Sequence, residues 1–575
     1  MTRARLGALL VVIAGAVVAA PIAHAIVSPA PGPYDTASLV IEVSEVAFER
    51  LLSVPEVVSL ARAGGAGLLA GTTFSADPAP NESDPPTRIG YVAVGGSDLA
   101  IVGDRVRALV DGFPTQELLV IVVGSGRSAE MIAAKDETYP IVLAIGPPEE
   151  LLSGNGALGS LTSDSTHRDG VVVGADVGAT VADFLGGGLL VSIDTTGSPG
   201  SPIEILPGPP PFALRERYLE QRRLSVPIGT AAALYVTGVG MLASALVALG
   251  RRRTEVRLRR IAGWTCLSVP ALATALLSAG HLPDLQYANV VPFLALVTVF
   301  GTLAFSPLER QELTLVPAGI GLAILTFFVI EWLLGWTGML TPLLGGSQLD
   351  GGRFYGLPNV AVGLLIGASL WVAQRLSTWR GFALICGVAL FAGLPLVGSN
   401  LGGGVSLFAT AGLWLAVRER ERLGVWKGLG AFVGVSVVGT GLILLAHAIS
   451  PVATHVTRFE STVDGPGGIV RKFLDRLQVG FDLIARNPAA IVPIVVLAAS
   501  LVLILRPPAV IRWTFERWPA WRDAVLVAFL GGIVAYVVND SGPSAASLAS
   551  ALGFGGMLGV SLLALHGKMD GDGER

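Results

Sequence analysis

Residues 250–260 read GRRRTEVRLRR, six arginines in eleven positions, and apolar runs flank them at 227–249 and 261–280. Each run has roughly the 17–25 residues that a helix needs to cross the hydrocarbon core of a bilayer. A cationic loop between two such runs belongs on the cytoplasmic side, because Lys and Arg close to a span resist translocation. Outward from this loop, eleven apolar segments follow Pro227, at about 227–249, 261–280, 287–306, 314–336, 358–374, 381–398, 404–417, 428–449, 489–505, 523–539 and 544–565. Alternating direction from segment to segment brings Arg375 and Arg380, the run RERERLGVWK at 418–427, and Arg506, Arg512, Arg517 and Arg522 to the side of 250–260. The opposite loops are mostly uncharged.

The composition agrees. Of 575 residues, 52% are hydrophobic and 14% charged, with a mean hydropathy of +0.66, whereas soluble domains are about a quarter charged. The lipid bilayer is therefore the expected partner. A net charge of -4 gives no basic face of the kind nucleic-acid binding needs, so no nucleic-acid partner is expected. Four lysines against 35 arginines, with the load of Ala and Gly, point to a GC-rich bacterial gene and so to a bacterial plasma membrane.

The first segment, MTRARLGALLVVIAGAVVAAPIAHA, carries Arg3 and Arg5 before an apolar core and ends on Ala23-His24-Ala25, an A-x-A pattern. Residues 1–28 read as a signal peptide or an uncleaved N-terminal anchor, and both place 29 onward outside the cytoplasm. From 29 to 223 the texture is that of an extracytoplasmic α/β domain. Apolar runs SLVIEV (38–43), ELLVIVV (117–123) and YPIVLAI (139–145) alternate with helical patterns at 47–65, 97–112 and 176–187. That alternation predicts a parallel sheet covered by helices. The only cysteines, Cys266 and Cys386, lie in later apolar runs, so no disulfide staples this domain. PGPPP (207–211) predicts a stiff exit toward an all-α polytopic domain at 224–567, with 568–575 as a cytoplasmic tail.

On the predicted outer face, LLGGSQLDGGRFYGLPN (343–359) places Asp350, Arg353, Tyr355 and Asn359 among five glycines, ahead of a segment running inward. Two more inward segments begin alike, at Ser399-Asn400 followed by LGGG and at Asn539-Asp540-Ser541-Gly542-Pro543. Asn, Asp, Ser, Pro and Gly are the residues that cap and open helices. A helix start has unsatisfied N–H groups and about half a positive charge, so three converging starts would hold an anion. Arg353 adds a full charge and a fork that fits phosphate or carboxylate. Glu331, in IEWLLGW, stands about one turn inside its segment, where an ionisable group usually faces protein or water; its structural role would be as counter-ion to Arg353. The anion-binding candidates are thus Arg353, Asn359, Asn400, Asn539, Asp540, Ser541, Glu331 and Tyr355. His447, His455 and Arg458 stand at another outer end without metal-site spacing. In 451–488, Ile469, Phe473, Leu477, Phe481 and Ile484 recur at helical spacing, as on an amphipathic helix that lies on the outer leaflet or packs against the exported domain.

The runs LLVIVVGSGRS (118–128), PIVLAIGPPEELL (140–152) and LTSDSTHRDGVVVGADVGATVADFLG (161–186) resemble the C-terminal half of the alkaline phosphatase and sulfatase superfamily. Asp176 and Thr180 match its helix start. The membrane half, with GGRFYGLPN, GSNLGGG and VVNDSG, is similar to uncharacterised bacterial membrane proteins that carry such a domain. The resemblance implies a two-metal hydrolase, but Gly124-Ser125-Gly126 occupies the place of its Asp-His metal pair. The first strand offers only Glu42 and Glu45, His167 is the one histidine of the mature exported part, and Thr72 and Thr73 stand where a nucleophile would. A two-metal site needs several convergent carboxylates and histidines, so the resemblance implies a degenerate phosphatase fold kept for binding, without metal or cofactor.

Two functions follow as expectations. One is binding or transport of an anionic envelope component, a lipid-linked phosphate or an envelope glycan, at the outer leaflet. The other is a membrane transferase with a lipid-linked phosphate donor, Glu331 or Asp540 as base and Arg353 on the phosphate, or an active phosphatase-type hydrolase. No base-and-nucleophile motif identifies catalytic residues, and the absence of GxxxxGK[ST] argues against ATP hydrolysis.

Overall fold

The computed structural model describes residues 36–44, 48–69, 89–95, 99–111, 117–125, 139–153, 159–163, 166, 171–184, 201–207, 211–249, 256–345, 355–395, 397–450, 498, 501–539 and 542–571. The N-terminal segment 1–28 and the amphipathic pattern of 451–488 lie outside them.

The α/β part contains strands β1 (Thr36–Ser44), β2 (Gly65–Leu69), β3 (Ile89–Gly95), β4 (Glu117–Ser125), β5 (Tyr139–Gly146), β6 (Gly159–Ser163), β7 (Val171–Val172) and β8 (Ile203–Pro207). Its helices are α1 (Phe48–Leu51), α2 (Pro55–Ala63), α3 (Leu99–Asp111), α4 (Pro148–Leu151) and α5 (Gly174–Phe184). The sheet order is β3-β1-β4-β5-β2-β6-β8, with β7 paired to β2. β1 runs parallel to β3 and β4, but β5 is antiparallel to both β4 and β2, and β8 is antiparallel to β6.

The sheet is therefore mixed, which corrects the expectation of a parallel one. After Glu117, ELLVIVV is apolar at every position, as YPIVLAI is from Pro140 on, because both faces of the sheet are covered, and such a run has no direction in it. Leu118, Val120 and Val122 pack with Leu39, Ile41 and Val43 against α2 and α3, while Leu119, Ile121 and Val123 pack with Val177 and Val181 of α5.

The rest of the chain is helical: α6 (Phe212–Leu249), α7 (Val256–Leu267), α8 (Val269–Ser278), α9 (Tyr287–Leu303), α10 (Ser306–Glu309), α11 (Leu315–Leu333), α12 (Asn359–Ala373), α13 (Thr378–Gly393), α14 (Leu401–Arg418), α15 (Arg420–Ala448), α16 (Ala509–Arg517), α17 (Pro519–Val538) and α18 (Gly542–Gly571). Among the described residues eight helical stretches are long and apolar enough to cross a membrane, and α12 and α13 are shorter apolar helices. Together they match ten of the eleven predicted segments. The remaining one, 489–505, lies mostly outside the described residues.

The sides of the helical bundle follow from α6. At 38 residues it would extend ~57 Å as an ideal helix, and the boundary expected at 223/224 falls within it. Tyr218, near its start, is buried against Val171 and Val173 of the α/β part. Its neighbour Arg217 donates to the carbonyls of Gly280 and Leu282, and one turn on Gln221 Nε2 donates to Pro342 O at 2.9 Å. The α/β part thus sits over the ends of helices at 280–285 and 331–343. At the opposite ends the arginines meet acids: Arg260 with Glu309, Arg375 with Glu312, and Arg418, Arg420 and Arg522 with Asp523. The arginine-bearing face and the domain-bearing face are opposite, as the charge pattern predicts.

Candidate functional site

Two of the three asparagines expected on the domain face meet directly. Asn400 is the N-cap of α14: its Oδ1 accepts from Gly403 N at 2.7 Å, and its Nδ2 donates to Leu357 O at 3.0 Å and to Asn359 Oδ1 at 3.1 Å. Asn359 is the first helical residue of α12, one position past the cap at Pro358. Asn539 reaches the same helix a turn further in, donating to Ser406 Oγ at 3.0 Å and to Ala535 O at 3.1 Å. It closes α17 and does not open the next helix, which begins at Gly542. Asparagine suits either end of a helix, so the sequence motif at 539 named the right place and the wrong end. Asn539 Oδ1 is buried without a hydrogen-bond partner among the described residues.

The loop before α14 locks this arrangement. Leu357 N donates to Gly398 O at 2.8 Å, and a Cβ on Gly356, whose φ is +86°, would lie 2.4 Å from that oxygen. Only glycine fits there. Tyr355 is half-buried, with its hydroxyl 3.4 Å from Ser399 Oγ. Trp336, itself at φ 61°, ties the loop to α11 by donating from Nε1 to Val397 O at 2.7 Å.

Glu331 is buried, 1% exposed, and its Oε1 bonds to His281 Nε2. Its other oxygen has no partner among the described residues. Arg353, its expected counter-ion, lies outside the described residues, as do Asp540 and Ser541. His281 escaped the sequence reading. The signal for it was depth: it ends the segment 261–280 on the domain face, and Glu331 stands one turn inside that same face. Two tight turns, 279–281 and 337–339, press the pair together. A Cβ on Gly338 would lie 2.5 Å from His281 Nε2 and 2.8 Å from Glu331 Oε1, and one on Gly280 would lie 2.0 Å from Gly338 O.

Beside these groups an apolar groove of about 240 Å³ runs between α6, α8, α12 and α18, lined by Ala232, Leu272, Leu276, Val360 and Leu548 among others. It ends at Leu344, Gly345 and Ser544. Gly345 is the last described residue before the stretch that carries Arg353, and Ser544 follows three residues after Ser541.

In the α/β part, Asp176 and Thr180 are bound structurally. Asp176 is fully buried and accepts from Ser163 Oγ (2.6 Å), Val173 N (2.9 Å) and Ser201 N (3.0 Å). Thr180 Oγ1 donates to Asp176 O at 2.6 Å and accepts from Ile203 N at 2.8 Å. Thr72, Thr73, Glu45, Gly126 and His167 lie outside the described residues. Among the described residues no group of three or more His, Cys, Asp or Glu is placed to hold a metal. His447 is buried with Nε2 2.9 Å from Gly393 O, which accounts for it structurally; His455 and Arg458 lie outside the described residues.

Fold and site together define a multi-pass membrane protein with an α/β domain seated on one face of a helical bundle. Comparison of the chain with family models, with curated proteins and with solved structures gives no match.

Proposed function

We propose that this protein binds or transports an anionic, lipid-linked component of a bacterial envelope at the domain-bearing face, which lies outside the cytoplasm, and that its phosphatase-like domain binds without catalysing. The observation that carries the reading is the apolar groove. It is lined by small and aliphatic side chains, and its end at Gly345 and Ser544 adjoins in sequence the two stretches with Arg353 and with Asp540 and Ser541. In this reading a lipid tail occupies the groove, and Arg353, whose planar fork suits two phosphate oxygens, is the partner of its phosphate. Asp176, fully committed to capping α5 and holding 201, supports a binding role for the domain. Eleven spans, with 489–505 as the eleventh, and cytoplasmic arginine ends complete the topology.

The test is the lipid that stays with the full chain through purification in mild detergent, identified by mass spectrometry. A phosphate-bearing lipid enriched over the bulk membrane, lost from Arg353→Ala and partly regained in Arg353→Lys, supports the reading. The same lipid profile for wild type, Arg353→Ala and the bulk membrane would sink it.

One observation favours the transferase alternative: Glu331 holds the imidazole of His281, which is 37% exposed, and a carboxylate-held histidine is a common form of general base. Under that reading His281→Ala abolishes group transfer while leaving lipid retention intact.

A further inference from the structure

The arginine-bearing face contains two cavities that meet. The first, about 790 Å³, is lined by Arg260, Arg310, Arg517, Trp513 and Trp518 over a floor that includes Leu563. The second, about 610 Å³, runs along the bundle between α6, α7 and α9, past Ile261, Trp264, Val299 and Leu303 as far as Tyr235 and Ser268. Arg260 and Ser306 line both. The polar cleft therefore opens into a groove whose walls are apolar side chains on the bilayer-facing surface of the spans.

Among the described residues that line the cleft, the charges are not balanced. Glu309 answers Arg260 at 3.2 Å, but Arg310 makes no ion pair among the described residues. Arg517 lies over the rings of Trp518 and Trp513, 5.4 and 6.0 Å from their centres. Stacking on two indoles fixes the plane of a guanidinium and leaves its N–H edge to a ligand. Among the described residues that line the cleft, three guanidiniums stand against one carboxylate, with tryptophans at the level where spans end, and this set matches the phosphate of a lipid headgroup at the membrane interface. A free phosphate has the same headgroup chemistry but no use for the groove.

We propose that the two cavities form one site for an anionic glycerophospholipid from the leaflet on the arginine-bearing face, with its phosphate between Arg310 and Arg517 and an acyl chain along Ile261, Val299 and Leu303. The site lies at the opposite ends of the helices from Glu331 and Asn359, so it stands or falls separately from the function proposed above.

The full chain, purified and delipidated in detergent, is titrated with phosphatidylglycerol, phosphatidylcholine or inorganic phosphate, and bound lipid is counted by native mass spectrometry. Phosphatidylglycerol is expected to be retained one per chain in preference to phosphatidylcholine. The double variant Arg310→Gln with Arg517→Gln lowers that retention by about tenfold or more, since each arginine removed is a charged partner of the phosphate. Val299→Trp fills the groove from a half-exposed position, so it lowers lipid retention without disturbing the fold. Equal retention of the two lipids, or unchanged phosphatidylglycerol retention in the double variant, overturns the proposal. Inorganic phosphate that competes away phosphatidylglycerol equally in wild type and Val299→Trp, with lipid retention the same in both, assigns the cleft to free phosphate and overturns the lipid site.

Discussion

Asp523→Asn is the sharpest test of how the arginine-bearing ends are held. The Asp523 side chain is only 4% exposed and meets three guanidiniums, Arg418 and Arg420 at 3.2 Å and Arg522 at 3.0 Å. Arg418 ends α14, Arg420 begins α15 and Asp523 is in the first turns of α17, so one carboxylate joins three helices. The partners do not contribute equally. Arg420 and Arg522 are 47% and 39% exposed, and exposed pairs contribute about 0–1 kcal/mol. Arg418 is 22% exposed and lies over the Trp414 ring, 5.4 Å from its centre, so it is the partner left stranded when the charge goes. Stranding one member of a buried pair costs about 3–5 kcal/mol, and with Arg418 only partly buried we expect the low end, about 3 kcal/mol, for Asp523→Asn. Arg418→Gln should cost a similar amount and Arg420→Gln less than about 1 kcal/mol. The measurement is reversible unfolding in mixed micelles, followed by tryptophan fluorescence. Asp523→Asn within about 1 kcal/mol of wild type, or Arg420→Gln as damaging as Arg418→Gln, would refute the account.

Two further outcomes follow from neighbouring geometry. A Cβ on Gly439 would lie 2.2 Å from the Phe408 ring, whereas nothing lies within 4 Å of one on Gly441; Gly439→Ala should cost about 1–3 kcal/mol in the same unfolding assay, while Gly441→Ala should be neutral or stabilising by up to about 1 kcal/mol. In the α/β part, the hydrogen bond from Arg107 to Glu56, 2.7 Å long, holds the Glu56 carboxyl below the usual carboxylate range. Its contribution is present above the unfolded carboxyl's pKa and is lost as the pH falls through the lowered folded value. Glu56→Gln should therefore make the acid limb of the stability curve shallower, an effect that acid titration of unfolding detects and that added salt reduces.

The membrane half was legible because span length and arginine placement are local properties of the chain. Ten of the eleven apolar segments coincide with helices, and the arginine ends gather on one face. Strand direction was not legible: Ile141 and Leu143 of β5 pack on one side of the sheet and Val142 and Ala144 on the other, so its apolar run reads the same in either direction. Contacts between distant segments were legible only where a residue type advertised itself. The asparagines at two of the segment starts drew attention to 359 and 400, which meet across 41 positions. Asp523 drew no notice because the arginines beside it supplied the positive-inside signal and its burial is a tertiary fact. His281 was missed for a similar reason, since a lone histidine after an apolar run looks like an interfacial residue until the buried carboxylate 50 positions later is placed against it.

That pair allows a cycle whose asymmetry is its test. Glu331 is buried and His281 is 37% exposed, so the two partners lose different things when separated. In His281→Ala the carboxylate remains inside with neither oxygen bonded to a described residue, and stranding a buried charge costs about 3–5 kcal/mol. In Glu331→Gln the imidazole keeps its route to water and the amide is neutral, so the loss is that of a hydrogen bond, about 1 kcal/mol. The double variant removes the charge together with its partner and should fall near the Glu331→Gln value, recovering most of what His281→Ala lost. The pair also bears on how the domain is attached, because Arg217 of α6 donates to the carbonyl of Gly280, next to His281. Disturbing the turn at 279–281 should therefore loosen the α/β part from the bundle, and limited proteolysis should cut faster in His281→Ala than in Glu331→Gln. Additive single effects would show that the two side chains do not interact. Equal single effects would show that Glu331 carries no charge in the folded protein, and the carboxylate-histidine pairing would have to be abandoned.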